Sequence, residues 1–137
     1  MNKKQYLQQA YRLNELIECN KQELAELRLL SDSIPGIDYS KDKVQGSSSG
    51  SAGFTNIVEK IVELENSIRI DIEKLLSLKL EIRTVINSVK DNDEKLLLKH
   101  RYLNFLTWEG ISEEMNISLR TVHRIHSNAL ANIKIPE

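Results

Sequence analysis

The sequence has little of what disulfide frameworks, zinc sites and membrane spans require. Aromatic residues make up 5% of its 137 residues, and Cys19 is the single cysteine. One thiol cannot form an intramolecular disulfide or a cysteine-rich zinc site, and it is compatible with the reducing cytoplasm. A membrane span needs about 20 consecutive apolar residues, and no apolar run in the sequence approaches that length. The N-terminal residues also lack the unbroken apolar segment of a secretory signal, so we expect no membrane association.

The sequence also lacks the usual signatures of enzymes. It has no glycine-rich phosphate loop, no nucleophile paired with a base, and no ligand set with metal-site spacing. Its carboxylates alternate with lysines, as on solvated helix surfaces. We therefore predict that the protein is not an enzyme and needs no cofactor or metal. The 19 Lys and Arg are offset by 20 Asp and Glu, so any surface for nucleic acid must be local.

The first 90 residues carry two heptad patterns. Residues at alternating steps of four and three are apolar from Tyr6 to Leu27, with Asn20 as the polar exception, and from Ile57 to Val89, with Asp71 as the polar exception. This is the period of a coiled coil. Between them, residues 31–53 are rich in serine and glycine and predict a long flexible loop. Residues 1–90 are therefore predicted to form a long antiparallel coiled-coil hairpin. The residues expected at a dimer or partner interface are Ile61, Leu64, Ile68, Asp71, Leu75 and Leu78.

Two interpretations of this hairpin remain open from the sequence. It could be purely structural, with each helix covering the other, or it could be an element for dimerisation. The second helix flanks its heptad pattern with Val58, Ile70, Ile72 and Leu76. That is more apolar surface than one short helix covers, which favours a further partner.

The C-terminal third of the chain carries the signals of three short helices. Asp91 and Glu94 match a capping box that opens the first helix. Thr107 is the expected N-cap of the second and Ser118 of the third. Asn116 stands where a tight turn needs a residue that tolerates the left-handed conformation. This order predicts a helix-turn-helix domain after the hairpin, in an all-α fold.

The domain is predicted over residues 91–137, with its third helix at residues 118–133. On a helical wheel, Val122, Ile125 and Ala129 share one side, with His126 packed at its flank. The opposite side carries four polar residues within about 100° around the helix axis. They are Arg120, His123, Arg124 and Ser127. A recognition helix contacts base edges from its N-terminal end, and arginine can bind guanine with two hydrogen bonds. The residues expected to contact DNA are Thr107, Leu119, Arg120, Thr121, His123, Arg124 and Ser127. The alternative is an ordinary solvated helix side.

The segment TWEGISEEMNISLRTVHRIHSNALANI, residues 107–133, resembles region four of bacterial sigma factors. The whole chain, from its opening YLQQAYRLNELI to RYLNFLTWEGISEEM, resembles a family of small proteins of phages and prophages of Gram-positive bacteria, similar to late-gene transcription regulators. The resemblance implies binding to double-stranded DNA, or contact with host RNA polymerase, in the bacterial cytoplasm. The positions that match the sigma pattern are Thr107, Glu109, Ile111, Glu113, Ser118, Val122, Ile125, Ala129 and Leu130.

The chain departs from the sigma pattern at the residues that would read DNA. Arg120 and Thr121 stand where sigma factors have an acid and an arginine, and His123 and Arg124 stand where they have arginine and glutamine. We therefore expect a different target sequence. The leading hypothesis is a sequence-specific phage or prophage transcription regulator that dimerises, or meets a partner, through its coiled coil. The alternative is an interaction module that binds RNA polymerase or another phage protein without reading DNA.

Overall fold

The computed structural model describes residues 1–33 and 48–136, and every regular element in these two ranges is a helix. The predicted all-α class is confirmed. Within the same ranges, none of the helices combines the length and the apolar content that a membrane span requires. The helices are α1 (Lys3–Ser33), α2 (Ser48–Asn87), α3 (Asn92–Tyr102), α4 (Trp108–Met115) and α5 (Leu119–Asn132).

The helices extend into both ends of the segment predicted as a loop, residues 31–53. α1 continues through Ser33, and α2 begins at Ser48, well before the heptad pattern starts. The prediction placed the helix ends where apolar residues stop. An established helix nevertheless elongates by one hydrogen bond for each added residue, and this needs no apolar partner. The remainder of the predicted loop lies outside the described residues.

The chain divides into two compact units, and the division differs from the predicted boundary after residue 90. One unit consists of residues 1–15 and 73–137, and the other of residues 16–72. The reason is that the start of α1 and the end of α2 share a hydrophobic core with the C-terminal helices. The buried members of this core are Tyr6, Leu7, Ala10, Ile82, Ile86, Val89, Leu98, Tyr102, Ala129 and Ile133.

Polar contacts in the first unit join the same parts of the chain. The Tyr6 hydroxyl donates to Oε1 of Glu81 at 3.0 Å. Burial of the ring, followed by the hydrogen bond to the Glu81 carboxylate, raises the pKa of Tyr6 to about 12. The Lys3 ammonium donates to the backbone oxygen of Ala131 at 3.2 Å. The beginning of α1 is thus held both to α2 and to the end of α5.

In the second unit, the side chains at the heptad positions of α1 and α2 are less exposed than those at the neighbouring positions. Ile17, Leu24 and Ile68 are buried, and a salt bridge of 2.7 Å joins the Arg28 guanidinium to the Glu65 carboxylate. The predicted inward sides of the two helices are confirmed at these positions.

The predicted interface residues on α2 are partly covered within the chain itself. Ile68 is buried, and Ile61, Leu64 and Asp71 are half-buried. Leu75 and Leu78 pack against the core of the first unit. The more exposed apolar side chains of α2 lie beside this series of residues, and they include Val62 and Ile72.

Candidate nucleic-acid interface

Short-range hydrogen bonds define the ends of α3, α4 and α5, as the sequence predicted. The side chain of Asp91 accepts from the backbone N–H of Glu94 at 2.9 Å. Thr107 and Ser118 accept in the same way at the starts of α4 and α5, at 3.0 and 3.1 Å. Asn116 ends α4 in the left-handed conformation, with φ 55° and ψ 47°. The three predicted N-caps and the predicted left-handed turn residue are confirmed.

A small apolar cluster lies beneath α5 and determines which side of the helix faces outward. Leu97 of α3, Ile111 of α4 and Val122 of α5 are fully buried against one another. The partly buried side chains around them are Leu106, Trp108, Met115, Ile117 and Ile125. Because Val122 and Ile125 point into this cluster, the residues on the other side of α5 face solvent.

The polar side of α5 carries four exposed side chains, those of Arg120, His123, Arg124 and Ser127. They lie within about 100° of each other around the helix axis. Leu119 is also exposed and begins the helix. The structure thus brings together five of the seven residues predicted to contact DNA.

The other two predicted contacts, Thr107 and Thr121, have capping roles. The Thr107 oxygen accepts a backbone N–H, while its side chain remains exposed at the start of α4. The Thr121 hydroxyl lies 2.9 Å from the hydroxyl of Ser118, and Thr121 is half-buried. Thr107 therefore still has a hydroxyl proton to donate outward, whereas the Thr121 hydroxyl already has a partner in the cap.

The arginines of this side of α5 have no acidic partner within the described ranges. The ion pairs found there are Lys21–Glu18, Arg28–Glu65 and Lys60–Glu63, all on α1 and α2. The charges of Arg120 and Arg124 are therefore not neutralised by a neighbouring carboxylate. The same residues of the chain contain no group of three or more His, Cys, Asp or Glu side chains able to hold a metal ion.

His126 is a structural residue, as the sequence predicted. It is 8% exposed, and its Nε2 lies 2.6 Å from the hydroxyl of Tyr102 on α3. Burial, reinforced by nearby positive charges, lowers the pKa of His126 to about 4. Burial also raises the pKa of Tyr102 to about 12. Near neutral pH both groups are therefore uncharged, and the hydroxyl can donate to the imidazole across the α3–α5 contact.

Trp108 joins α3, α4 and α5 through contacts that the sequence did not predict. The guanidinium of Arg101 lies 4.1 Å from the centre of the Trp108 ring and donates to the backbone oxygen of Leu106 at 2.9 Å. The His123 and His126 rings lie 5.0 and 4.8 Å from the Trp108 ring. Arg101 lies on α3 and not on the last helix, so the helical wheel of that helix does not include it. Its position six residues before the Thr107 cap was the available signal.

One contact in this group constrains a predicted DNA-binding side chain. His123 is exposed, but its ring rests against Trp108 at the first position of α4. The His123 side chain can therefore adopt fewer rotamers than a side chain surrounded by solvent. Because fewer rotamers are lost on binding, the entropy cost of binding is lower. Chemically, this side of α5 offers two guanidinium groups, an imidazole and a hydroxyl, all suited to phosphate oxygens or base edges.

Comparison with known proteins assigns a family. A family described as a protein of unknown function, DUF1492, matches residues 33–134. The match covers the range from the last residue of α1 beyond the end of α5. No curated protein and no solved structure matches the chain. Since the match extends over well more than half of the sequence, the chain belongs to the DUF1492 family of proteins of unknown function.

Proposed function

We propose that the protein is a sequence-specific DNA-binding transcription regulator of a phage or prophage. In this proposal α3, α4 and α5 form a sigma-region-four-like helix-turn-helix, and α5 enters the major groove. The coiled-coil hairpin of α1 and α2 serves dimerisation or partner contact. The observation that carries the proposal is the group of exposed side chains on α5, Arg120, His123, Arg124 and Ser127, opposite its buried side.

The position of these side chains along α5 supports groove binding. Arg120 and His123 lie in the first turns of α5, immediately after its Ser118 cap. A recognition helix reads bases with its N-terminal residues, while the preceding helix crosses the phosphate backbone. Arg120 and Arg124 suit the acceptor pair of guanine, and Thr107 at the start of α4 suits a phosphate.

The fit of α5 against α3 and α4 supports a rigid recognition element. Tyr102 and His126 meet across α3 and α5, and Trp108 contacts side chains of both helices. A pre-positioned helix loses less conformational entropy on binding than one that must be ordered by DNA. We therefore assign Arg101 to positioning α4 through Trp108 and Leu106, and the base contacts to Arg120 and Arg124.

Selection of bound sequences from a random DNA pool tests the proposal. We expect an enriched motif, and we expect Arg120→Ala and Arg124→Ala to weaken binding to it by about 1–3 kcal/mol each. Arg83→Ala is the matched control, because it removes an exposed arginine of α2 and should leave affinity unchanged. Binding is measured by fluorescence anisotropy at ~150 mM salt. Lack of enrichment, or equal affinity of the α5 variants and the parent, would reject the assignment.

A second candidate function is a module that binds host RNA polymerase or another phage protein without reading DNA. Two observations favour it. The net charge of −1 supplies no overall attraction to DNA, and Leu29 and Leu30 of α1 are exposed apolar side chains. Retention on purified polymerase, together with only nonspecific DNA affinity, would select this candidate over the first.

A further inference from the structure

A second series of residues follows α2 beside the one that packs on α1. Its members are Val58, Val62, Glu65, Arg69 and Ile72, spaced by four, three, four and three residues. We call this series the α2 stripe. Its centre lies about 100° around the helix from the residues that face α1. Val58, Val62 and Ile72 are 38%, 50% and 44% exposed. An apolar series at helical spacing on an exposed side is the pattern of a helix that packs on a partner.

The order of residues in the stripe is self-complementary. If two copies of α2 cross in opposite directions about a twofold axis near residue 67, Val62 of one copy lies opposite Ile72 of the other. Glu65 then lies opposite Arg69, and the twofold repeats both pairs. In the same arrangement, Val58 of one copy lies opposite Leu76 of the other. Isologous dimers require this kind of match between a surface and itself.

We propose that two copies of this chain associate through the α2 stripe, with their α2 helices antiparallel. The occupant of the stripe is a second copy because the stripe read in reverse places apolar residues opposite apolar residues and Glu65 opposite Arg69. A parallel, in-register pair would place Glu65 against Glu65 and Arg69 against Arg69. Like charges at such positions disfavour an arrangement, and opposite charges select it.

The charges of the stripe are available for this pairing. Oε2 of Glu65 accepts from Arg28 of the same chain at 2.7 Å, and the Glu65 side chain remains 46% exposed. The other carboxylate oxygen can accept from Arg69 of the second copy. Arg69 is exposed and takes part in none of the ion pairs found among the described residues. The ion pairs select direction and register, while the apolar pairs supply the affinity.

The pairs at the centre of the stripe, residues 62–72 of each copy, lie wholly within the second unit. This pairing differs from the interface expected from the sequence. Of the residues expected there, Ile68 is buried in its own chain, and Ile61 and Leu64 are half-buried. It does not depend on the proposed DNA binding, because association is measured without DNA.

Reciprocal charge variants test the proposal by sedimentation equilibrium of the full chain. We expect the parent to be dimeric, and Arg69→Glu and Glu65→Arg to weaken self-association roughly tenfold or more each. The two single variants mixed in equal amounts should form a heterodimer, since each supplies the charge that the other lacks. Lys74→Glu is the control with the same charge change. It alters an exposed residue on nearly the opposite side of α2 and should leave the dimer intact.

A further variant keeps the test independent of the Arg28 contact. Glu65→Arg removes that contact, so its helical content is checked by circular dichroism, whereas Ile72→Lys and Arg69→Glu leave it in place. Ile72→Lys should also weaken association. A parent that is monomeric at ~100 µM overturns the proposal. So does a parent dimer that Arg69→Glu and Ile72→Lys do not weaken, or a mixture of folded charge variants that stays monomeric.

Discussion

Acidification should destabilise the first unit through His126. The His126 pKa is lowered from 6.5 to about 4 in the folded chain, chiefly by burial. The folded state therefore favours the neutral ring, and this contribution to stability is fully present above about pH 6.5. It is lost as the pH falls toward 4, because the unfolded chain takes up the proton first. Linkage gives a loss of about 2 kcal/mol in the free energy of unfolding between pH 7 and pH 5.

The assay is urea unfolding at pH 7 and pH 5, followed by circular dichroism, for the parent and for His126→Gln. Glutamine does not titrate, and its amide oxygen can accept the Tyr102 hydroxyl. The loss of unfolding free energy between the two pH values should be smaller in His126→Gln by about 2 kcal/mol. His123→Gln is the matched control, because His123 is exposed and contributes least among the charges that lower the His126 pKa. It should retain the pH dependence of the parent.

The comparison isolates one group, since the parent and His126→Gln share every other side chain. An equal loss of stability in the parent and His126→Gln would refute the reasoning. It would mean that the His126 ring is solvated in the folded chain and has the same pKa there as in the unfolded chain.

Two further predictions concern the same three helices. Tyr102→Phe should lower the free energy of unfolding by about 1–3 kcal/mol at pH 7, because it leaves Nε2 of buried His126 without a partner. Tyr11→Phe is the control and should have little effect, since Tyr11 is 43% exposed and its hydroxyl has no hydrogen bond among the described residues. Equal losses of unfolding free energy in the two variants, measured by urea unfolding, would contradict this prediction. Asn116→Ala should be less stable than Asn116→Gly by about 1 kcal/mol, because φ of 55° strains alanine but not glycine. Thermal unfolding of the two variants decides this, and an alanine variant as stable as the glycine variant would count against the left-handed turn.

The helix ends could be predicted because their causes are local. Ser118 bonds to an N–H three residues away, and Asn116 occupies a turn that few other residues tolerate. The outward group on α5 could likewise be predicted from helical period alone, since Val122 must face inward if the helix packs at all. The extent of α2 was underestimated, because its first residues are helical without any apolar pattern to mark them.

The sequence by itself determined that the chain is helical, where its short helices begin, and which sides of α1, α2 and α5 face inward. These features follow from hydrogen bonds and side-chain periods within a few residues. Only the tertiary structure decided that Tyr6 and Ala10 share a core with Ala129, that His126 meets Tyr102, and that Arg101 lies over Trp108. It also decided which apolar residues of α2 stay exposed. These outcomes depend on contacts between segments distant in sequence, and neither composition nor periodicity specifies which segments meet.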